Sequence, residues 1–156
     1  MEPPFEKLDG VLSVTSGYTG GKKLNPSYDD VSGGGSGHME AIEIIYDPNV
    51  ITYEQLLDVF WHNVDPTDGS GQFCDKGQQY LSAIIVHDEA QRRLALASRE
   101  RVRARFPVMQ TDVLAAGPFY RAEEWHQDYY KKNPVRYRAY KFGCGRAARL
   151  RKIWRE

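Results

Sequence analysis

The residues best suited to chemistry in this 156-residue chain are two cysteines, Cys74 and Cys144, and a scatter of acids, histidines and tyrosines. A thiolate is both nucleophile and redox group; cations favour it, while anions and burial disfavour it. Cys144 stands in Phe142-Gly143-Cys144-Gly145-Arg146, between glycines that let the chain bend and near Arg146 and Arg149, which favour its thiolate. Cys74 adjoins Asp75, whose charge opposes a thiolate beside it. In a reducing compartment such a pair reads as free thiols or a redox couple more readily than as a structural disulfide.

Over residues 39–46 the alternation puts Glu40 on the face of Ile42, Ile44 and Tyr46, with Ala41, Glu43 and Ile45 opposite. A carboxyl heading an apolar strand face is either half of a salt bridge or an acid whose neutral form its surroundings favour. Tyrosine hydroxyls remain donors across physiological pH, although a tyrosine taken alone is more often a core aromatic. The histidines, at 38, 62, 87 and 126, show no paired spacing such as HxxxH, and no thiols cluster with them, so a metal centre is not expected.

These residues need elements to hold them. Glu2 to Leu8 is helix-compatible, Val11 to Ser16 is β-prone, and Gly17 to Gly37 carries the Gly, Ser, Asn and Pro of a long loop. Thr52 to Gln55 has capping-box spacing, with Leu56, Leu57, Phe60, Trp61 and Val64 repeating behind it, which predicts a helix over 53–63. Tyr80 to His87 is apolar on both faces, as a central strand would be. Asp88 can cap a helix from Glu89 to about Arg105 with Leu94, Ala97 and Val102 inward, Val108 to Leu114 is a further strand, and Glu123 to Lys132 a further helix. The result is a single α/β (α+β) domain over 1–156 with a mixed β-sheet flanked by helices. From Arg136 to Glu156 eight Lys or Arg residues face one acid, which reads as a long, irregular, solvated basic tail.

Composition narrows the function. Apolar residues at 41% and charged ones at 27% describe an ordinary globular chain, and Lys plus Arg equals Asp plus Glu at 21 each, so neither nucleic acid nor a membrane surface is expected as partner. The N-terminus lacks the pattern of a signal peptide and no run approaches 18 apolar residues, so a cytoplasmic location is expected.

Four stretches carry a resemblance: EPPFEKLDGVLSVTSGYTGG at 2–21, NPSY followed by GHMEAIEIIYDP, GQFCDKGQQYLSAI at 71–84, and FYRAEEWHQDYYKKNP at 119–134. In order and spacing they resemble the A-type peptide methionine sulfoxide reductases. The resemblance implies a ferredoxin-like core, no bound cofactor, and reduction of methionine (S)-sulfoxide, free or in proteins, at the expense of thioredoxin or another dithiol. It also implies that Glu40 is the acid serving the sulfoxide oxygen, that Tyr28 and Tyr80 point hydroxyls at that oxygen, and that Asp75 holds a water. Cys144 matches the recycling thiol, which condenses with a sulfenic acid to a disulfide. In the family the first stretch follows a Gly-Cys-Phe-Trp motif that supplies the nucleophile, and Met1 stands just after that position. The sequence therefore leads to an expectation of impaired catalysis, with a non-catalytic chain keeping a partial sulfoxide pocket as the rival reading. Cys74, beside Asp75, is a poor replacement nucleophile.

Overall fold

The computed structural model describes residues 1–154. A short helix α1 (Glu2–Glu6) leads into the long strand β1 (Val11–Thr19), which continues past the expected end at Ser16. Helix α2 (Tyr28–Ser32) lies inside the stretch read as loop; Ser27 and Asp30 form a reciprocal capping box there, a local signal the surrounding glycines obscure. Strand β2 (Met39–Tyr46) pairs antiparallel with β1 along its whole length, Thr19 opposite Met39 and Tyr18 opposite Glu40. Helix α3 (Tyr53–Trp61) has the predicted box, Thr52 with Gln55.

A two-residue hairpin, β3 (Gly71–Gln72) and β4 (Asp75–Lys76), precedes strand β5 (Ala83–Val86), helix α4 (Glu89–Arg103, capped by Asp88) and strand β6 (Asp112–Ala115). Strand β7 (Phe119–Arg121) adds to the free side of β1. The expected mixture of helices with strands of both pairing senses is present, but the strands divide: β2-β1-β7 is antiparallel, β3-β4 is a separate hairpin, and β5-β6 is a parallel pair. Strand β5, expected to be central, therefore pairs on one side only among the described residues, and its apolar character reflects α4 and α3 on one face and a cleft on the other. In α4 it is Ala95, Ser98 and Val102 that are buried, while Ala97 faces solvent.

The main core joins Leu57, Trp61 and Val64 of α3 and its exit to Ile84 and Val86 of β5 and Ala95 and Val102 of α4. Burying such side chains contributes roughly 1.5–3 kcal/mol each, and the one polar atom Trp61 brings inside is satisfied, its Nε1–H donating to Ser98 Oγ at 3.0 Å. A second cluster packs Phe5, Ile51 and Leu56 beneath β1 and β2, and a third sets Tyr18 against Val31 and Ala122.

The helix expected over 123–132 is broken. A 3-10 turn (Glu124–His126) and α5 (Tyr129–Lys132) meet at Asp128, whose φ of +54 lies in the left-handed region. The tail is not irregular either: α6 (Pro134–Gly143) and α7 (Arg146–Ile153) are helices. Its basic residues account for the correction, because two of them act as anchors rather than solvated charges. Arg146 donates to the Asn63 carbonyl at 2.6 Å and Arg149 to Asp65 Oδ2 at 2.8 Å, while Trp154 Nε1–H reaches the Val64 carbonyl at 3.1 Å. Arg155 and Glu156 of the expected tail lie outside the described residues. Among the described residues, no helix is long and apolar enough to cross a membrane.

Candidate active site

A cleft of about 390 Å³ runs between β2 and β5. Along it both strands present edges with no strand paired to them among the described residues. Its lining includes the apolar Ile42, Ile44, Leu57 and Ile84 and the polar Glu40, Asp75, Tyr80, His126 and Arg146.

Glu40 comes from the second residue of β2, on the face predicted from the alternation, with Ile42, Ile44 and Tyr46 packing inward beyond it. Its Oε1 lies 3.7 Å from His126 Nε2, and both side chains are about a quarter exposed (25% and 23%). The Glu40 carboxylate raises the His126 pKa above its usual value, against burial, which lowers it. The other ring nitrogen, Nδ1, is buried with no hydrogen-bond partner. His126 thus lines the site itself.

The placement of His126 starts one residue later. Gln127 is buried; its Nε2 donates to the carbonyls of Ser16 (2.7 Å) and Ala122 (2.9 Å), and its Oε1 accepts from the Ser16 amide (2.9 Å). This amide acts as one more rung between β1 and the chain leaving β7. Glu123 does the same on the other side, accepting from the Tyr18 hydroxyl and from the Tyr28 amide, each at 3.2 Å. Neither residue carries a sequence signal apart from the AEEWHQ stretch that contains both.

Tyr80 closes a 3-10 turn (Gln78–Tyr80) whose two glutamines fix it across the fold. Gln78 donates to the Gly37 carbonyl at 3.1 Å and Gln79 to that of Ser32 at 3.3 Å. Burial, then the charge of Glu40, then Tyr28 and Asp75 push the Tyr80 pKa up to about 12, so it remains a proton donor at any physiological pH. Tyr28, Glu40 and Asp75 thus all lie within electrostatic reach of Tyr80. The Tyr28 ring sits edge-on to Trp125 with centroids 5.0 Å apart. Tyr18, whose pKa is raised by burial and then by Glu123, lies buried beneath.

Two further positions shape the site. A Cβ at Gly17 of β1 would stand 2.3 Å from Phe119 Cζ and 2.5 Å from the Tyr120 carbonyl oxygen, so a hydrogen is what allows the Phe119 ring to lie over β1 at the cleft. His38 uses both ring nitrogens on the loop after β1: the Gly21 amide donates to Nδ1 at 3.1 Å, which leaves Nε2 to donate to the Lys23 carbonyl at 2.7 Å.

Asp75 lines the cleft, but its carboxylate accepts a hydrogen bond from the Tyr140 hydroxyl of α6. Next to it, Cys74 and Cys144 form a disulfide, with Cα atoms 5.4 Å apart. Cys144 is therefore brought to the rim of the site, two residues before Arg146, but neither cysteine lines the cleft. The arrangement can hold a small ligand with an oxygen towards an acid, an imidazole and phenols, beside a sulfur centre.

The profile of the family named Peptide methionine sulfoxide reductase matches residues 1–156. The chain is 47% identical to a Bacillus licheniformis protein named Peptide methionine sulfoxide reductase MsrA, over 99% of this chain and 87% of that one. It is 48% identical to the Caulobacter vibrioides Peptide methionine sulfoxide reductase MsrA 2, over 99% and 79%. Among solved structures it is similar to reduced Mxr1 from Saccharomyces cerevisiae (TM-score 0.79, 32% identity, 83% of this chain and 76% of that one). It is also similar to methionine sulfoxide reductase A of Corynebacterium diphtheriae (TM-score 0.75, 30% identity, 84% and 68%). Matched from end to end by the family profile and at this level of identity by its members, the chain belongs to the peptide methionine sulfoxide reductase family.

Proposed function

We propose that the chain serves the thiol-dependent reduction of the S epimer of methionine sulfoxide, free or in proteins, to methionine. The observation that carries this reading is that Glu40, His126, Tyr80 and Asp75 line a cleft that apolar side chains such as Ile42, Ile44, Leu57 and Ile84 also line, with Tyr28 close enough to act on Tyr80. A methionine side chain has the matching polarity. Sulfoxide reduction needs a thiolate on sulfur and a proton on the oxygen, which passes to the attacking thiol as a sulfenic acid and leaves as water only when a second thiol condenses with it. Glu40 delivers the proton, with His126 as the neighbour that holds and re-supplies it. Tyr80 and Tyr28 donate hydrogen bonds to the oxygen without themselves ionising, and Asp75 orders water at the mouth. Cys144 is the recycling thiol, and thioredoxin or another dithiol supplies the electrons.

A second reading has one observation in its favour. Both cysteines of these 156 residues are joined to each other, and neither reaches the cleft. A chain that binds methionine sulfoxide without turning it over would look the same. The unpaired edges of β2 and β5 are placed to receive a strand, and such a strand carrying Gly-Cys-Phe-Trp would bring a thiol into the cleft.

The deciding experiment incubates a methionine-S-sulfoxide peptide and dithiothreitol with the 156-residue chain, and in parallel with a version extended upstream by a strand bearing Gly-Cys-Phe-Trp. Turnover by the extended version, abolished by Glu40→Gln, supports the catalytic reading. Binding without turnover in both favours the second, and a failure of both to bind the peptide refutes the site.

A further inference from the structure

We propose that Cys74–Cys144 is an exchangeable disulfide with a fixed polarity: a reductant thiol attacks the Cys74 sulfur and Cys144 is released beside the cleft. The exchange itself can be measured without any sulfoxide; only the use made of the freed Cys144 thiol rests on the reading above.

Three observations carry the polarity. The first is access. Cys74 sits at the tip of the β3–β4 hairpin and is exposed, while Cys144 is half-buried between α6 and α7. A nucleophile in line with the S–S bond therefore meets the Cys74 sulfur first. The second is the leaving group. In thiol–disulfide exchange the sulfur that departs more readily is the one whose thiolate is better stabilised. Cys144 lies two residues before Arg146, whose guanidinium packs over the Phe73 ring at 4.6 Å and so sits against the same hairpin. Cys74 adjoins Asp75, whose charge opposes a thiolate there. Charge and access thus select the same sulfur.

The third is mobility. Cys144 is carried by a turn between Gly143 and Gly145, and a Cβ at either glycine would meet nothing within 4 Å. Helix α6 has no buried residue, so little but the disulfide and Tyr140 holds its C-terminal end to the hairpin. Helix α7 stays in place by its own contacts, Arg149 to Asp65 and Trp154 to the Val64 carbonyl. Breaking the bond frees the turn while its far side remains docked at Arg146, which lines the cleft. The Cys144 thiol is then delivered towards the cleft rather than lost to solvent.

The chemistry balances as an ordinary exchange. The attacking thiolate forms a bond to Cys74 Sγ; the S–S bond breaks, and its electron pair leaves on Cys144 Sγ, which takes a proton from solvent. A second thiol of the same reductant then attacks the mixed disulfide and releases Cys74. The pair gains two electrons and two protons, and the external dithiol becomes a disulfide.

The test uses the oxidised 156-residue chain and reduced glutathione, a monothiol that resolves the mixed disulfide only through a second molecule and so more slowly than a dithiol. Samples are quenched in acid at early times, alkylated with iodoacetamide, digested and mapped by mass spectrometry. Glutathione on Cys74 with carbamidomethyl on Cys144 is expected in about tenfold excess over the reverse pattern, as thiolate stability governs departure. Arg146→Met is expected to bring that ratio towards unity and Asp75→Asn to lower it less. Equal labelling of the two cysteines in the unsubstituted chain overturns the proposal, as does predominant glutathione on Cys144. So does a disulfide that glutathione leaves intact while it exchanges readily in the urea-unfolded chain.

Discussion

The two walls of the cleft are built in different ways. The proton-bearing wall stands on β1, β2 and the chain after β7, where Tyr18, His38 and Gln127 are buried and each spends its polar atoms on backbone or on a neighbouring carboxylate. The sulfur-bearing rim rests on a two-residue hairpin and on a helix, α6, with no buried residue. A proton donor acts only if its position is fixed before the reaction, because its contribution depends on geometry held to a fraction of an ångström. A recycling thiol has to move between partners, so a hinge of glycines suits it. The comparison predicts that disturbing the first wall costs chemistry and the second costs mainly local order.

The largest effect is expected from Glu40→Gln, which keeps the shape of the site and removes its acid. In whichever preparation turns over a methionine-S-sulfoxide peptide, the rate should fall by about 10²- to 10⁴-fold, the usual worth of a positioned proton donor. His126→Gln should fall less, since it acts through Glu40. Equal rates for Glu40→Gln and the unsubstituted protein would place the proton donor elsewhere on this wall.

Next in size is the loss of the disulfide. Cys74 and Cys144 are 70 residues apart in the chain, and closing a loop of that length limits the unfolded state by about 4 kcal/mol in the chain-entropy account. Paired substitution of both cysteines by serine should lower the urea-unfolding free energy by roughly 2–4 kcal/mol. Hydrogen exchange should then quicken in 140–145 and at the hairpin while remaining slow in β1 and β2. Quickened exchange across β1 and β2 would mean that the rim supports the rigid wall and that the two are one cooperative unit.

Gly17→Ala attacks the other wall by packing alone. A methyl group there runs into the Phe119 ring and the Tyr120 carbonyl, and overpacking of this kind costs about 1–3 kcal/mol. Because Phe119 lies at the cleft, peptide binding should weaken along with the melting temperature. A fully stable Gly17→Ala protein would show that β7 is free to shift and that this wall is less rigid than its hydrogen bonds imply.

The same contrast marks what could be read in the sequence. Elements made by local chemistry are legible: the capping box at Thr52, the N-cap at Asp88, and the alternation that places Glu40 on the inner face. The convergence of Tyr28, Glu40, Asp75 and Tyr80 follows from the motifs matched by family resemblance, not from spacing. What escaped depends on partners far along the chain. Glu123 and Gln127 become positioning groups only once β1 lies beside them, and Arg146, Arg149 and Trp154 turn a basic tail into docked helices only because the end of α3 offers free carbonyls and Asp65. Helix α2 is hidden for a local reason, the glycines on both sides of a five-residue helix.

The smallest effect concerns pH, and its sign can be worked out. The Glu40 carboxylate raises the His126 pKa from its unperturbed 6.5 in the folded state. Folding then favours the protonated imidazole, so this pair contributes stability that is fully present below pH 6.5 and is lost as pH rises through the folded value. The Met1 α-amine works the other way: burial, and then Arg146, bring it from 8.0 to about 6, a contribution present above pH 8.0 and lost as pH falls towards 6. The two overlap, so the unsubstituted protein alone is uninformative. Urea-unfolding free energies of the protein and of His126→Gln, compared at pH 5.5 and pH 8.5, isolate the imidazole. The unsubstituted protein should exceed the variant by more at pH 5.5 than at pH 8.5. A gap that does not change with pH would mean that His126 is held by packing and has no ionic link to Glu40, which would remove it from the proton-bearing wall.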